Sequence, residues 1–572
     1  MMKDMSSSMP SNLHIARDAE LRPVSEIGAA AGLSTEQMDP YGHYVAKVSL
    51  DAVNNPSKVA GGAKYVVVSA ITPTPFGEGK TTTSVGLAQG LSRIGHPATL
   101  ALRQPSMGPI FGIKGGAAGA GYSQAVPMEK LNLHLTGDFH AVTAAHSLLA
   151  AMVDNHLHHG NELGIDTRAI SWKRVVDMND RALRNVIVGL GSRMDGVARE
   201  TGYDITAASE VGVALSLATS LHDLRERLGR IVIGYSHEGK PVTAEDLKAA
   251  GAMTVLLKEA IKPNLLQTLE HTPALFHAGP FGNIATGNSS VVGDLIGRQM
   301  GEYLITEAGF GADMGAERFF NIKCRVSGMT PDAAVLVTTV RALKSHSGRF
   351  TITAGKDLPE EMKTENPDLV REGAANLRKH IEIIRGFGVA PVVAINAFPG
   401  DFASEHQAIR EIAEEMGAHV AVSTHVADGG RGAEELAEAV HAAANSETTF
   451  TPSYEMSDSL EDKLHKVTTK VYGGDGVDLS PVARKELARF TDLGFGNLPV
   501  VIAKTHLSIS HDPKLKGAPT GWRLPVREVR LAAGAGYVYA IAGEMRTMPG
   551  LGKHPAAERM DIDENGEIVG LF

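Results

Sequence analysis

The stretch "YVVVSAITPTPFGEGKTTTSVGL", residues 65–87, decides how the chain is read. A valine-rich apolar run gives way to a turn with two prolines and two glycines, and then to a segment with helical spacing. Strand, glycine-bearing turn and helix is the order a phosphate-binding loop needs. Gly79, Lys80 and Thr81 stand in the G-K-T order of that motif, while the place of its first glycine holds Thr74, between Pro73 and Pro75. Gly77 and Gly79 let the backbone curl so that N–H groups face an anion. The helix start adds its partial positive charge. In such a loop the Lys80 ammonium reaches the β/γ phosphates and the Thr81 hydroxyl ligates magnesium. The prolines offer no N–H and stiffen the entry. The segment therefore reads as a shortened phosphate cradle over Thr74, Pro75, Gly77, Glu78, Gly79, Lys80, Thr81 and Thr82. The plainer alternative is a proline turn before an ordinary helix. The helix that follows sets Val85, Leu87, Leu91 and Ile94 near one face and stops at Gly95.

Working outward, similar runs recur at 98–103, 230–235, 333–340, 390–398 and 419–426, many of them separated by helical segments. Short continuous Val/Ile/Ala runs alternating with amphipathic helices predict a multidomain α/β protein with a largely parallel sheet covered on both faces. Residues 12–60 read as two or three short helices, with a cap at Ser34 or Thr35. Residues 140–228 read as a mostly helical insertion. "LPVVIAK" (498–504) and "GYVYAIAG" (536–543) predict a small α/β unit at the end. The expected division is 1–305, 306–450 and 451–572.

A chain of 572 residues is too long for one core. The net charge of −10 argues against general nucleic-acid binding by bulk electrostatics. The single cysteine, Cys324, allows no internal disulfide and points to a reducing compartment. The first twenty residues lack the apolar core of a signal peptide, and no apolar run is long enough to span a bilayer. The expectation is a cytoplasmic enzyme with no nucleic-acid or membrane partner.

A second glycine run, "GIKGGAAGAGY" (112–122), places Gly112, Gly115, Gly116, Gly119 and Gly121 around Lys114. So many glycines suit backbone that passes close to a ligand. Arg103 ends the preceding apolar run in "LALRQPSMGP" (100–109), where open α/β sheets bind ligands. At this point the chain resembles the formate–tetrahydrofolate ligases, over nearly its full length. The loop "TPTPFGEGKTTT" has that family's form. "GIKGGAAGAGY" is similar to its glycine signature, with Ala120 in place of a glycine. "VTTVRALKSHSG" (337–348) is similar to a second signature, departing at Thr338 and Ser347. "HTPALFHAGPFGNIATGNSS" (271–290), "TEAGFGADMGAERFFNIKCR" (306–325), "FGNLPVVIAK" (495–504) and "MPGLGKHPAAERMDID" (548–563) look like further family blocks.

The resemblance implies the reaction ATP + formate + tetrahydrofolate → ADP + phosphate + 10-formyltetrahydrofolate, by way of formyl phosphate. It implies Lys80 and Arg103 as catalytic residues, Arg103 holding the formyl phosphate. It implies ATP with Mg²⁺ near Thr81, tetrahydrofolate as co-substrate, a monovalent cation, and a homotetramer. Lys114, Gly115 and Gly116 would close over the unstable intermediate. The pterin would stack on an aromatic residue matching Phe398 in "AINAFPGD". The partner tryptophan's place falls at Val426 in "STHVADGGRG".

His156, His158 and His159 suggest a metal, but adjacent histidines on a helix diverge, and a polar helix end is the simpler reading. Cys324 reads as a buried structural thiol. Asp313 and Glu317 either face the site or orient a glycine turn. Two other functions fit parts of the pattern. A nitrogenase-iron-protein-like or partitioning-type ATPase also reads "GKTTTS", though with a lysine early in its loop. A catalytically retuned paralogue would fit position 426.

Overall fold

The computed structural model describes residues 9–112, 118–282, 284–350, 352 and 358–571. Its centre is a twelve-stranded sheet. In chain order the strands are β1 (Met38–Pro40), β2 (Ala46–Val48), β3 (Lys64–Ala70), β4 (Ala98–Leu102), β5 (Gly119–Ala120) and β6 (Ser123–Val126). They continue with β7 (Asn264–Thr268), β8 (Pro273–Phe276), β9 (Tyr303–Glu307), β10 (Ala333–Thr338), β11 (Ala390–Asn396) and β12 (His419–Ser423). Across the sheet the order is β1-β2-β7-β8-β4-β9-β3-β10-β11-β12, with β6 beside β7 and β5 beside β6. From β8 to β12 every neighbour is parallel. The β1–β2–β7–β8 edge is antiparallel.

The valine run of β3 is what a strand at this place requires. Val66, Val68 and Ala70 enter one core, while Tyr65 and Val67 enter the other. A strand covered on both faces has no polar side, so its sequence is continuously apolar rather than alternating. The Val66 face is covered by helices α1 (Lys80–Arg93) and α6 (Glu434–Ala444). The Tyr65 face is covered by α4 (Val340–His346), α5 (Ala375–Gly386) and two wide π-helical turns, Ala312–Ala316 and Phe319–Lys323. Helices α2 (Asp138–His158) and α3 (Glu210–Leu217) share a separate apolar core. Because β3, β4, β9, β10, β11 and β12 run the same way, the loops that follow them gather along one edge of the sheet.

The fold class expected from the sequence is the one observed. The N-terminal helices are present, and Ser34 caps a short turn through a capping box with Gln37. The two C-terminal runs form parallel neighbours, Val500–Ala503 and Tyr537–Ile541, joined by Glu528–Ala532. Two expectations need correction. The run at 230–235 is a strand, Val232–Tyr235, but among the described residues it pairs only with Pro241–Thr243, outside the large sheet. Residues 140–228 are less helical than expected. After α2 come short strand pairs, Arg174–Val176 with Tyr203–Ile205 and Val186–Val188 with Arg199–Thr201. Gly189, Gly191 and Gly196 all have positive φ there, which no helix accepts.

Candidate functional site

The phosphate-type loop leaves the end of β3 at the centre of the parallel edge. Gly79 caps α1 with φ +81°. A Cβ there would lie 2.5 Å from Asn396 Nδ2, so the position needs glycine for space as well as conformation. Asn396, the last residue of β11, donates to the Glu78 carbonyl at 3.0 Å. Glu78 turns inward and is buried. Its carboxylate accepts the Thr74 N–H at 2.7 Å and the Thr74 hydroxyl at 2.9 Å. Burial raises the Glu78 carboxyl above its ordinary range, against the pull of Lys80 and the Thr74 bonds. Thr74, which replaces the motif's first glycine, is thus bonded back onto the loop. Pro75 and Gly77 face outward, and Lys80 and Thr81 stand half-buried at the helix start. Thr82 is buried beneath them.

One residue overlooked in the sequence joins the pieces. Glu307 ends β9, the strand between β4 and β3. One carboxylate oxygen accepts from Arg103 Nη2 at 2.9 Å, and the other takes a short hydrogen bond from the Thr81 hydroxyl. Burial alone would push this carboxyl up. Arg103, Lys80 and the Thr81 bond outweigh it and hold Glu307 below the usual carboxylate range. The signal in the sequence was the acid at the end of "YLITE". Phosphate-loop enzymes place a metal-binding carboxylate at such a position. A threonine hydroxyl and a carboxylate are hard oxygen donors of the kind Mg²⁺ takes.

The strands on the other side of β3 carry the second candidate surface. Asn396 and Ser423 are register partners at the ends of β11 and β12, so Phe398 and Val426 leave the sheet side by side. Phe398 is half-buried, its N–H held by Asp401 at 2.9 Å. The guanidinium of Arg341, in the first turn of α4, lies 4.4 Å from the Phe398 ring centre. Val426 is half-buried, and its carbonyl accepts the Tyr122 N–H at 2.9 Å. Both tryptophans are elsewhere: Trp172 stacks on His146, and Trp522 packs near His511.

Lys114, Gly115 and Gly116 lie outside the described residues. Asp313 and Glu317 belong to a buried polar cluster. Burial opposes ionisation of Asp313, but Lys504 at 2.7 Å and His380 keep it well below the usual range. Burial raises Glu317 to about 7, while Asn321 donates to it at 2.7 Å. His156 accepts the Leu163 N–H at 3.1 Å and closes the end of α2, while His158 and His159 meet edge to face. Among the described residues no group of three or more His, Cys, Asp or Glu is placed to hold a metal. Burial pushes the Cys324 thiol up, as suits a structural position. No helix among the described residues is long and apolar enough to cross a membrane.

A family model for formate–tetrahydrofolate ligase matches residues 10–572. The chain is 69% identical to a formate–tetrahydrofolate ligase of Cutibacterium acnes over 564 residues, covering 99% of this chain and all of that one. It is 65% identical to a ligase of the same name from Saccharopolyspora erythraea over 564 residues, with the same 99% and full coverage. One from Rubrobacter xylanophilus is 62% identical over 572 residues, covering 98% of this chain and 99% of its own length.

Proposed function

The chain belongs to the formate–tetrahydrofolate ligase family and joins formate to tetrahydrofolate at the expense of ATP; from that premise we propose how its own residues divide the reaction. The observation that carries the proposal is Glu307, whose carboxylate holds Thr81 of the phosphate loop and Arg103 together.

The loop amides and Lys80 hold the β/γ phosphates of ATP, and the α1 N-terminus adds to their field. Formate attacks the γ-phosphorus, ADP leaves, and formyl phosphate remains. Phosphoryl transfer of this kind needs positioning and charge neutralisation more than covalent help. Arg103 gives the intermediate a two-pronged planar contact that a lysine would not reproduce. Thr81 and Glu307 are the residues that would hold Mg²⁺, which neutralises phosphate charge when bound. N10 of the folate then attacks the formyl carbon, with the pterin against Phe398 and its other side toward Val426. Lys114, Gly115 and Gly116 limit water at the intermediate. The proposal extends to a monovalent cation and to a tetramer of this chain, which rest on the family resemblance alone. It places the enzyme in the cytoplasm, which the one buried thiol supports.

The test is phosphate release from ATP with formate and tetrahydrofolate present or omitted singly. Release should require both. Lys80→Ala should slow turnover by roughly a few hundredfold, from about 3–4 kcal/mol of lost phosphate stabilisation, with circular dichroism unchanged. Near-normal turnover in that variant would remove the loop from the chemistry. Phosphate release independent of formate would favour a plain ATPase.

A further inference from the structure

Arg341 has a surrounding that the scheme above leaves unexplained. It is half-buried at the carboxyl end of β10, the strand between β3 with its phosphate loop and β11 with Phe398. Among the described residues its guanidinium has no hydrogen bond and no carboxylate partner; it lies over the Phe398 ring. Other inward-turned cations here are matched. Lys504 pairs with Asp313, Lys323 with Asp294, Lys344 with Glu405, and Arg103 with Glu307. A stacked guanidinium keeps its five N–H donors in its own plane, open to an anion.

Its place in the crevice narrows which anion. Asn396 ties the end of β11 to the Glu78 carbonyl of the phosphate loop, so Phe398 stands two residues from a contact with that loop. Arg103 follows β4, on the far side of β3, and Arg341 follows β10, on the near side toward the folate wall. Phosphate oxygens already have Lys80, Arg103 and the loop amides. The folate carries its glutamyl carboxylates at the end away from the pterin; beside the pterin wall, new negative charge develops only in the second half of the reaction. There the N10 lone pair forms the new C–N bond and the C=O pair moves onto the formyl oxygen. Collapse then breaks the bond to the phosphate oxygen, phosphate leaves with that electron pair, and the N10 proton leaves with it.

We propose that Arg341 is a catalytic residue of the formyl-transfer step, its guanidinium donating to the formyl oxygen as that atom becomes an oxyanion beside Phe398. The inference rests on the reading of Phe398 as the pterin wall. A donor that meets charge present only in the transition state lowers the barrier without tightening substrate binding.

The two half-reactions can be read separately. Formyl phosphate formation without folate is followed by formate-dependent scrambling of oxygen label between the β,γ-bridge and the β non-bridging positions of ATP. Transfer is followed by 10-formyltetrahydrofolate production. Arg341→Gln should leave the scrambling rate within about threefold of normal and lower kcat for transfer by about a hundredfold or more, with little change in the tetrahydrofolate KM. Arg341→Lys, which keeps a cation on the same stem, should recover part of that loss and guards against misfolding of the glutamine variant. Equal loss of scrambling and transfer would assign the guanidinium to phosphate and overturn the proposal. A raised tetrahydrofolate KM at normal kcat would make Arg341 a prop for Phe398 and overturn it as well. Phe398→Ala separates the two levels. If it leaves the tetrahydrofolate KM unmoved, the wall reading itself fails. If it raises that constant while Arg341→Gln transfers normally, only the role of Arg341 falls.

Discussion

Glu307 makes two contacts that belong to different parts of the chemistry, and its removal should therefore cost more than either. Glu307→Gln keeps the shape but loses the charge that aligns Arg103 and the second oxygen available to magnesium. Roughly 3 kcal/mol of lost stabilisation would lower kcat by about a hundredfold. The magnesium concentration giving half-maximal rate should rise at the same time. Unchanged kcat and magnesium dependence would reduce Glu307 to a structural brace. Lys80, Thr81 and Arg103 were legible in the sequence because each is fixed by local order: two by a motif, the third by ending an apolar run. Glu307 was not, because its strand ends in two polar residues and does not read as a continuous apolar run. The role of an acid there depends on which strands lie beside it, and strand order is not written in any local pattern.

At the scale of the element, the phosphate loop is held by its own side chains and by a neighbouring strand. Two glycines in it share a left-handed backbone but not a surrounding. A Cβ on Gly77, φ +75°, would meet nothing within 4 Å, whereas one on Gly79 would press on Asn396. Both alanine variants carry the conformational penalty of about 1–2 kcal/mol. Gly79→Ala should in addition displace Asn396 and the Glu78 carbonyl it holds. The ATP KM should stay within about threefold of normal for Gly77→Ala and rise at least tenfold for Gly79→Ala, by the steepness of crowding in a packed site. Equal effects would mean that Asn396 yields freely and does not set the loop. The same contrast marks what sequence conveys about elements. The strand of β3, the glycine turn and α1 were readable because period, turn chemistry and helix face agree over one short stretch. The Val232–Tyr235 strand was readable as a strand but not as a pair with Pro241–Thr243, since a run of valine and isoleucine fits any buried sheet. That Asn396 touches Gly79 depends on a pairing across hundreds of residues.

Over the whole molecule, two carboxyls, one on a half-buried residue and one on a buried residue, fasten the C-terminal portion to the body. Glu210, in the first turn of α3, accepts the N–H groups of Gly534 at 2.7 Å and Ala535 at 3.2 Å. Glu317 bonds Asn321, which in turn donates to Ser453 at 2.8 Å. Burial raises both carboxyls to about 7, more than their hydrogen bonds lower them. In the unfolded chain a glutamate titrates near 4.3. The folded state therefore binds more protons than the unfolded state between those values. The stability these groups contribute is full below about pH 4.3 and is lost as pH rises through about 7. Each raised pKa is equivalent to roughly 4 kcal/mol by linkage, an upper figure for a carboxyl that relaxes when it ionises. Asp313 works in the opposite direction: its lowered pKa keeps it charged beside Lys504 throughout this range and adds no slope. The expected result is a thermal midpoint that falls between about pH 4.3 and 7 in the wild type and levels off above that. Glu210→Gln and Glu317→Gln should each flatten that fall while leaving the midpoint at the acid end little changed, because glutamine preserves the neutral shape and its acceptor oxygen. If either variant reproduces the wild-type slope, that carboxyl is already ionised in the folded protein, and its hydrogen bonds outweigh its burial.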